Sequence, residues 1–166
     1  MLGKLLKRKS EPVEEMLVSP VNGQSVDIGE VPDPTFSEKM MGDGIAIKPE
    51  EGKVVAPIDS EVVQVFPTKH AVGLKTRSGV ELLIHIGLET VSMDGEGFEA
   101  HVKQGQRIKS GDALISFDLN LVAEKAADTV IPVIITNVDQ VDILNQQIDK
   151  NVQAGQTAVM TVKAQG

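Results

Sequence analysis

Cysteine, tryptophan and tyrosine are absent from this chain of 166 residues, and aromatic residues make up only 2% of it. Without cysteine there are no disulfides, thiolate metal ligands or cysteine nucleophiles. This composition suits a reducing compartment, so we expect a cytoplasmic protein. The hydrophobic core must consist of aliphatic residues, and a core of this kind suits strands.

Further absences exclude several functional classes. The net charge of -8 repels phosphate backbones, so we expect no nucleic-acid partner, and it favours basic protein partners. No apolar run approaches the roughly 20 residues that span a bilayer. The chain also lacks the nucleotide loop GxxxxGK(S/T), the dinucleotide fingerprint GxGxxG, the hydrolase elbow GxSxG and the zinc motif HExxH.

The N-terminal residues 1–15 differ in composition from the rest and are predicted to be a tail before a single domain over 16–166. Two interpretations of the first residues stay open. They form either a mobile charged tail or a short amphipathic helix over 1–9 that makes weak contact with anionic lipid at a membrane surface. Residues 10–15 are interpreted as a linker.

The domain consists of short apolar or alternating runs separated by turn residues. Residues 77–79 are predicted to form the turn of a hairpin between strands over 71–76 and 80–86. Helix is expected only as a single turn over 37–41 and as a helix over 120–128. The fold class is therefore predicted to be all-β, an antiparallel sandwich or barrel-like domain with very little helix.

One short motif occurs twice in the chain. The segments VSPVNG at 18–23 and VAPIDS at 55–60 match in residue type at every position. Two copies are too few for a solenoid, so they predict two related hairpins packed face to face, with a tight Asn-Gly turn closing the first.

Two of the three histidines are predicted to lie side by side. Counted outward from the hairpin turn, His70 and His85 come opposite each other, and opposed residues of antiparallel strands are about 5 Å apart. The pair is either a stacked structural pair or a site that shares an anion or a metal. We favour the site, because two imidazoles that titrate near neutrality pack poorly together. His101 stands among charged residues and is predicted to be solvated.

The chemistry that fits such a pair is phosphoryl transfer. A neutral imidazole nitrogen is a good nucleophile near pH 7, and a backbone carbonyl bound to its other nitrogen would fix the tautomer. The second ring would donate a hydrogen bond to the phosphoryl oxygens. Thr68, two residues before His70, could orient that second ring through its hydroxyl.

The residues around the histidines resemble a known family, glucose-class enzyme IIA of the bacterial sugar phosphotransferase system. The resemblance lies in LIHIGLETV at 83–91, FPTKHA at 66–71, PDPTFSEKMMGDG at 32–44 and GEGF at 95–98, and it runs from about residue 16 onward. It implies that His85 takes a phosphoryl group from the histidine phosphocarrier protein HPr. His85 would pass the group to a cysteine in the IIB domain of a sugar permease, with His70 assisting.

The resemblance also implies a partner-binding face around the histidines. We define this docking face by six apolar residues and two acids, namely Phe36, Met40, Met41, Phe66, Leu83, Val91, Asp33 and Glu89. No cofactor is implied for the transfer itself. In enteric relatives the two histidines share a zinc ion with glycerol kinase, so His70 and His85 are candidate zinc ligands. Enteric relatives also regulate sugar permeases and adenylate cyclase, which makes these expected partners.

Two other functions stay open. VAPI at 55–58 and KQGQRIKSGD at 103–112 also resemble biotinyl and lipoyl carrier domains, although no Met-Lys-Met or Asp-Lys-Ala tip occurs. The second alternative is a regulatory binding protein that no longer transfers phosphate. The joint presence of His85, His70 and Thr68 disfavours it.

Overall fold

The computed structural model describes residues 13–165, so the proposed lipid contact of 1–9 lies outside the described residues. The strands are β1 (Glu14–Val18), β2 (Gly23–Asp27), β3 (Asp43–Pro49), β4 (Lys53–Val55), β5 (Ser60–Val65), β6 (Ala71–Thr76), β7 (Glu81–His85), β8 (Phe98–Ala100), β9 (Arg107–Ile108), β10 (Ala113–Phe117), β11 (Ile131–Ile135), β12 (Val141–Gln146), β13 (Asn151–Val152) and β14 (Ala158–Ala164). The helices are α1 (Pro34–Ser37) and α2 (Leu119–Lys125), with 3-10 turns at Ile28–Glu30, Thr90–Met93 and Val138–Gln140.

The strands over 13–165 form three sheets in which neighbouring strands are antiparallel. The largest sheet has eight strands in the order β13-β2-β3-β11-β7-β6-β5-β9. The two smaller sheets have three strands each, β1-β14-β12 and β4-β10-β8. The predicted antiparallel all-β class is confirmed, and the α-helices are short.

The central strand β7 presents its two faces to two separate hydrophobic clusters. Because side chains alternate along a strand, Leu82 and Ile84 point into the main core, which Ile86 joins just beyond the strand. Leu83 points to the opposite face, where a second cluster includes Phe36. His85 shares the face of Leu83, since its ring lies 5.1 Å from the ring of Phe36. The histidine therefore stands outside the main core.

The predicted hairpin between β6 and β7 is present, but its register does not place the two histidines directly opposite each other. Thr76 N donates to Val80 O, and Lys75 pairs with Glu81. This centres the turn on Ser78, so Ala71, and not His70, is the residue opposite His85. The predicted direct opposition of the two histidines is wrong by this one position.

The repeated motif forms a contact between its two copies, although neither copy is a hairpin. Val18 N donates to Pro57 O at 3.0 Å, and Val55 N donates to Pro20 O at 2.8 Å. The predicted hairpins are wrong because β1 pairs with β14 and β4 pairs with β10. Gly23 opens β2 instead of closing a turn, and a Cβ there would lie 2.0 Å from Lys48 O.

Three predicted boundaries differ from the observed ones. The helical turn expected over 37–41 lies earlier, because Asp33 caps α1 and Pro34 occupies its first turn. The helix expected over 120–128 ends at Lys125, because the backbone of the following residues pairs with Leu88. The linker expected over 10–15 already belongs to β1 from Glu14 onward. The edge strand β12 has no counterpart in the prediction.

Replacing Ile84 by alanine should destabilise the fold strongly. Its side chain is fully buried in the main core, and truncating a buried isoleucine costs about 2–5 kcal/mol through lost transfer energy and the cavity that remains. Urea unfolding measures the change. Val63→Ala, at a position that is 38% exposed, is the matched control and should cost less than about 1 kcal/mol. Equal losses at both positions would contradict the assignment of Ile84 to the core.

Candidate functional site

His85 is the last residue of β7, and its imidazole is held by the backbone that follows. The ring nitrogen Nδ1 lies 2.8 Å from Gly87 O. A carbonyl oxygen can only accept a hydrogen bond, so Nδ1 must carry the proton. The neutral ring then has an unprotonated Nε2. This is the state in which an imidazole acts as a nucleophile.

The carbonyl of Gly87 is itself fixed by its neighbours. Leu88 N donates to Asp128 O at 2.9 Å, and Ala127 N donates back to Leu88 O at 3.0 Å. Gly87 has φ +74°, and a Cβ at this position would lie 2.9 Å from Asp128 O. Glycine is therefore required here by both conformation and space.

His70 stands immediately before β6, and its ring is oriented by a hydroxyl. Thr68 Oγ1 lies 2.5 Å from Nδ1 of His70, as the sequence predicts. The edge of the ring also meets Phe66, with a distance of 5.6 Å between ring centroids. Lys69, between Thr68 and His70, has φ +60°. A positive φ strains the backbone of a residue that has a side chain. Such strain persists where the surrounding structure fixes the backbone, and strained residues cluster at functional sites.

The two imidazoles lie side by side although His70 is not directly opposite His85 in the register. Their ring centroids are 4.9 Å apart and their planes are inclined by 79°. His70 lies outside β6, so strand alternation does not dictate where its ring points. Ile86 N donates to His70 O at 2.7 Å, which ties the two histidine segments together through their backbones.

Burial favours the neutral form of both rings. Loss of solvent lowers the pKa of His85 from 6.5 to about 4. The hydrogen bond to Gly87 opposes this shift, the neighbouring His70 adds to it, and Asp33 opposes it. Burial also lowers the pKa of His70 below its usual value. Both rings are therefore uncharged near pH 7, so repulsion between two imidazolium ions is absent.

The docking face divides into an exposed part and a buried floor. Met40, Met41 and Val91 are 73%, 41% and 56% exposed. Phe36 and Leu83 are buried and support the histidines from below, which leaves little of either residue for a partner to touch. The remaining three positions, Asp33, Phe66 and Glu89, are partly or fully exposed. The acid Asp33 also caps α1 by accepting from Thr35 N.

Only two metal ligands come together at this site. Among the described residues no group of three or more histidine, cysteine, aspartate or glutamate side chains could hold a metal ion. The Nδ1 atoms of both histidines are engaged, which leaves their Nε2 atoms for a ligand. A tetrahedral zinc ion would therefore need further ligands from elsewhere. His101 is exposed, as predicted, and its Nε2 lies 2.7 Å from Ser116 Oγ.

Sequence reasoning did not identify the residues that bond to the peptide groups on either side of Gly87. It predicted a backbone carbonyl on the nucleophilic ring without saying which one, and it gave Asp128 and Thr90 no role. Asp128 is 43 positions from His85 in the sequence and makes its contact through its backbone carbonyl. Every residue type has such a carbonyl, so the residue type at position 128 does not indicate the contact. Thr90 carried a weak signal, as a hydroxyl residue shortly after Gly87.

The chain belongs to the EIIA 1 family of the phosphoenolpyruvate-dependent sugar phosphotransferase system, whose family model matches residues 15–141. It is therefore a phosphotransferase component of sugar transport. None of the helices over 13–165 is long and apolar enough to cross a membrane.

Full-length and fused relatives both resemble this chain. It is 59% identical over 163 residues to the glucose-specific EIIA component of Halalkalibacterium halodurans, covering 96% of this chain and 94% of that protein. It is 52% identical over 135 residues to the glucosamine-specific EIICBA component of Bacillus subtilis, covering 81% of this chain and 21% of that one. The fold is similar to glucose permease IIA from Mycoplasma capricolum, with a TM-score of 0.85, 40% identity, and coverage of 90% and 96% of the two chains.

Replacing His85 by glutamine should reduce the loss of stability at acid pH. The pKa of His85 is 6.5 when solvated and about 4 in the folded protein, so between these values the unfolded chain binds more protons. The free energy of unfolding of the wild type therefore falls as pH falls, by about 3 kcal/mol across this window. Glutamine does not titrate, so the variant should lack this pH-dependent loss in the free energy of unfolding.

Urea unfolding at constant ionic strength from pH 7 to pH 4 measures the difference between the two proteins. His101→Gln replaces an exposed histidine and is the matched control. Parallel stability curves for wild type and His85→Gln would show that His85 is not kept neutral by burial.

Proposed function

We propose that this protein is a cytoplasmic phosphocarrier for glucose-type sugar uptake, with Nε2 of His85 as the phosphorylated atom. His85 accepts the phosphoryl group from phosphorylated HPr and passes it to the IIB domain of a sugar permease. His70 assists the transfer, and Thr68 orients His70. The observation that carries the proposal is the pair of neutral imidazoles whose Nδ1 atoms are bound by partners of different chemistry.

Because the Nδ1 atoms of the two rings have different hydrogen-bond partners, the two rings have different roles. Gly87 O accepts a hydrogen bond from the protonated Nδ1 of His85, so Nε2 keeps a free lone pair. The hydroxyl of Thr68 can donate to Nδ1 of His70, and then the proton of that ring is on Nε2. One ring is thereby the nucleophile. The other, whose ring centroid is 4.9 Å away, can donate a hydrogen bond to the oxygens of the transferred group.

Transfer between two imidazoles balances without net proton movement. The lone pair of Nε2 forms the new N–P bond while the N–P bond of the donor breaks, and that electron pair returns to the donor nitrogen. The donor ring, protonated on its other nitrogen, leaves as a neutral imidazole. His85 becomes the phosphorylated ring and keeps its proton on Nδ1, hydrogen-bonded to Gly87 O. A cysteine thiolate of IIB would then attack the phosphorus and accept the phosphoryl group. The N–P bond breaks, and its electron pair returns to Nε2, which restores neutral His85.

The names of the relatives support the IIB domain as the acceptor. The similar EIICBA proteins of Bacillus subtilis and Staphylococcus carnosus carry the A unit in one chain with B and C units. In a separate chain, the same transfer requires docking between proteins. The similar full-length proteins are named glucose-specific, which supports glucose as the sugar served.

The docking face has the composition expected of a carrier that meets several partners. Met40 and Met41 are exposed and unbranched, so they can adapt to differently shaped surfaces. An exposed apolar patch with a polar rim is typical of a contact site. Asp33 and Glu89 on its rim, together with the net charge of -8, favour basic partners.

The transfer itself is proposed to need no cofactor. Zinc held by Nε2 of His70 and of His85 is compatible only with a partner that supplies the missing ligands. Glycerol kinase, permease and adenylate cyclase contacts, like the lipid contact of 1–9, stay predictions from the family resemblance.

His85→Ala should abolish phosphate uptake from phosphoenolpyruvate and the two general phosphotransferase proteins, because the nucleophile is gone. His70→Gln should still accept phosphate but pass it to IIB more slowly, since the hydrogen bond to the phosphoryl oxygens is altered. Radiolabelled phosphoenolpyruvate and a purified IIB domain measure both steps. Normal labelling of His85→Ala would reject the assignment. The absence of labelling in wild type would favour the regulatory alternative.

The label should be lost in acid and retained in alkali, as expected for an N–P bond to imidazole. Filter binding after incubation at the two pH extremes is the measurement. An acid-stable, alkali-labile label would indicate a serine or threonine ester and contradict the histidine mechanism.

Val91→Lys should weaken transfer from HPr, because it places a positive charge on a face proposed to meet basic partners. Val91 is 56% exposed, so the substitution should leave the fold intact. We expect a KM for HPr raised by about tenfold, equivalent to about 1.4 kcal/mol. Leu144→Lys, at a position that is 48% exposed on a three-stranded sheet, is the matched control and should leave the KM unchanged. Equal effects at both positions would contradict docking at Val91.

A further inference from the structure

Thr90 is a buried hydroxyl residue that the transfer step does not use. Its side chain has no solvent exposure, and its Oγ1 donates to Ile86 O at 2.6 Å. Thr90 opens a 3-10 turn, but its hydroxyl does not cap that turn and instead reaches back four residues. Its methyl group lies close to the Cα of Gly87, since a Cβ on Gly87 would be 2.7 Å from Thr90 Cγ2.

The bond made by Thr90 fixes the peptide group before Gly87. That peptide joins Ile86 to Gly87, and its carbonyl is held by the hydroxyl of Thr90. On the other side of Ile86, the N–H donates to His70 O at 2.7 Å. Both polar backbone groups of Ile86 are therefore bound, one to the second histidine segment and one to Thr90.

The peptide group after Gly87 is fixed by a different partner. Its N–H belongs to Leu88 and donates to Asp128 O, while its carbonyl accepts from Nδ1 of His85. A peptide unit is planar, so holding the N–H also sets the direction of the carbonyl. The two planes meet at Gly87, and a glycine hinge has wide conformational freedom unless both sides are held. Thr90 is the side chain that holds the first plane.

We infer that Thr90 is a positioning residue for phosphoryl transfer, which acts by locking the Gly87 carbonyl that keeps His85 in the Nδ1–H tautomer. The inference rests on the proposed function, in which Nε2 is the nucleophile. Without the hydroxyl, the Ile86 carbonyl is buried without its partner and the peptide can rotate about Gly87. The Gly87 carbonyl then moves from Nδ1, and part of the His85 population carries its proton on Nε2, where it blocks attack.

The test compares Thr90→Val with Thr90→Ser. Valine keeps the shape and removes the hydroxyl, whereas serine keeps the hydroxyl and removes the methyl group. Nitrogen-15 NMR of the imidazole ring at pH 7 reports the tautomer of His85 in the unphosphorylated protein. A rapid-quench measurement of phosphoryl transfer from HPr reports the rate. Thr90→Val should show a mixture of tautomers and a rate lower by about tenfold or more, because small displacements of reacting atoms cost up to about a hundredfold. Thr90→Ser should keep both the Nδ1–H tautomer and the transfer rate of the wild type.

Thr76→Val is the matched control for the loss of a buried threonine hydroxyl. Thr76 lies at the opposite end of the same hairpin, where its hydroxyl donates to Glu15 at 2.7 Å. This variant should keep the wild-type tautomer and rate even if it is less stable. The inference is overturned if Thr90→Val keeps the Nδ1–H tautomer, or if Thr90→Ser is as impaired as Thr90→Val. If the tautomers change as expected but wild type accepts no phosphate, the proposed function fails, and only the control of the His85 tautomer by Thr90 stands.

Discussion

The hydrogen bond from Nδ1 of His85 to the carbonyl of Gly87 is the interaction on which the proposed chemistry of this protein depends. It decides which ring nitrogen is free, and it does so with a backbone group that cannot change protonation state. Its geometry rests in turn on the pairing of Leu88 with Ala127 and Asp128, and on the bond from Ile86 to His70. Residues 86–88 thus link the end of β7, the segment after α2 and the loop before β6 through their backbone hydrogen bonds.

The two faces of the eight-stranded sheet have different roles. One face packs into the main core and supports stability, and the other carries the candidate functional site. The first face packs into the aliphatic main core, so the strand that carries His85 is rigid. The other face holds the smaller cluster with Phe36 and Leu83, above which the histidines and exposed methionines lie. Partial burial there lowers the histidine pKa values and keeps both rings neutral. The same apolar surroundings form the proposed docking face, so the proposed reactivity and docking have one physical cause.

Features that depend on nearby residues agree with expectations from the sequence. The hairpin turn at 77–79 and the strand over 71–76 follow from alternating aliphatic residues and a glycine turn. Features that depend on distant backbone do not. The helix expected to reach residue 128 ends at Lys125, because Ala127 and Asp128 bond to Leu88, a competition that helix propensity does not include. The repeated motif likewise marks a real contact, but its strands pair with β14 and β10 instead of with their neighbours in the sequence.

By itself, the sequence determined the all-β class, the aliphatic core, the two candidate histidines and the contact of Thr68 with His70, because strand pattern and side-chain chemistry are local properties. The tertiary structure decided the rest. The register places Ala71 opposite His85, and only the loop position of His70 brings its ring to 4.9 Å from the other. The identity of the carbonyl that binds Nδ1, and of the groups that hold it, depends on backbone hydrogen bonds. Every residue type offers these groups, so only the fold can select among them.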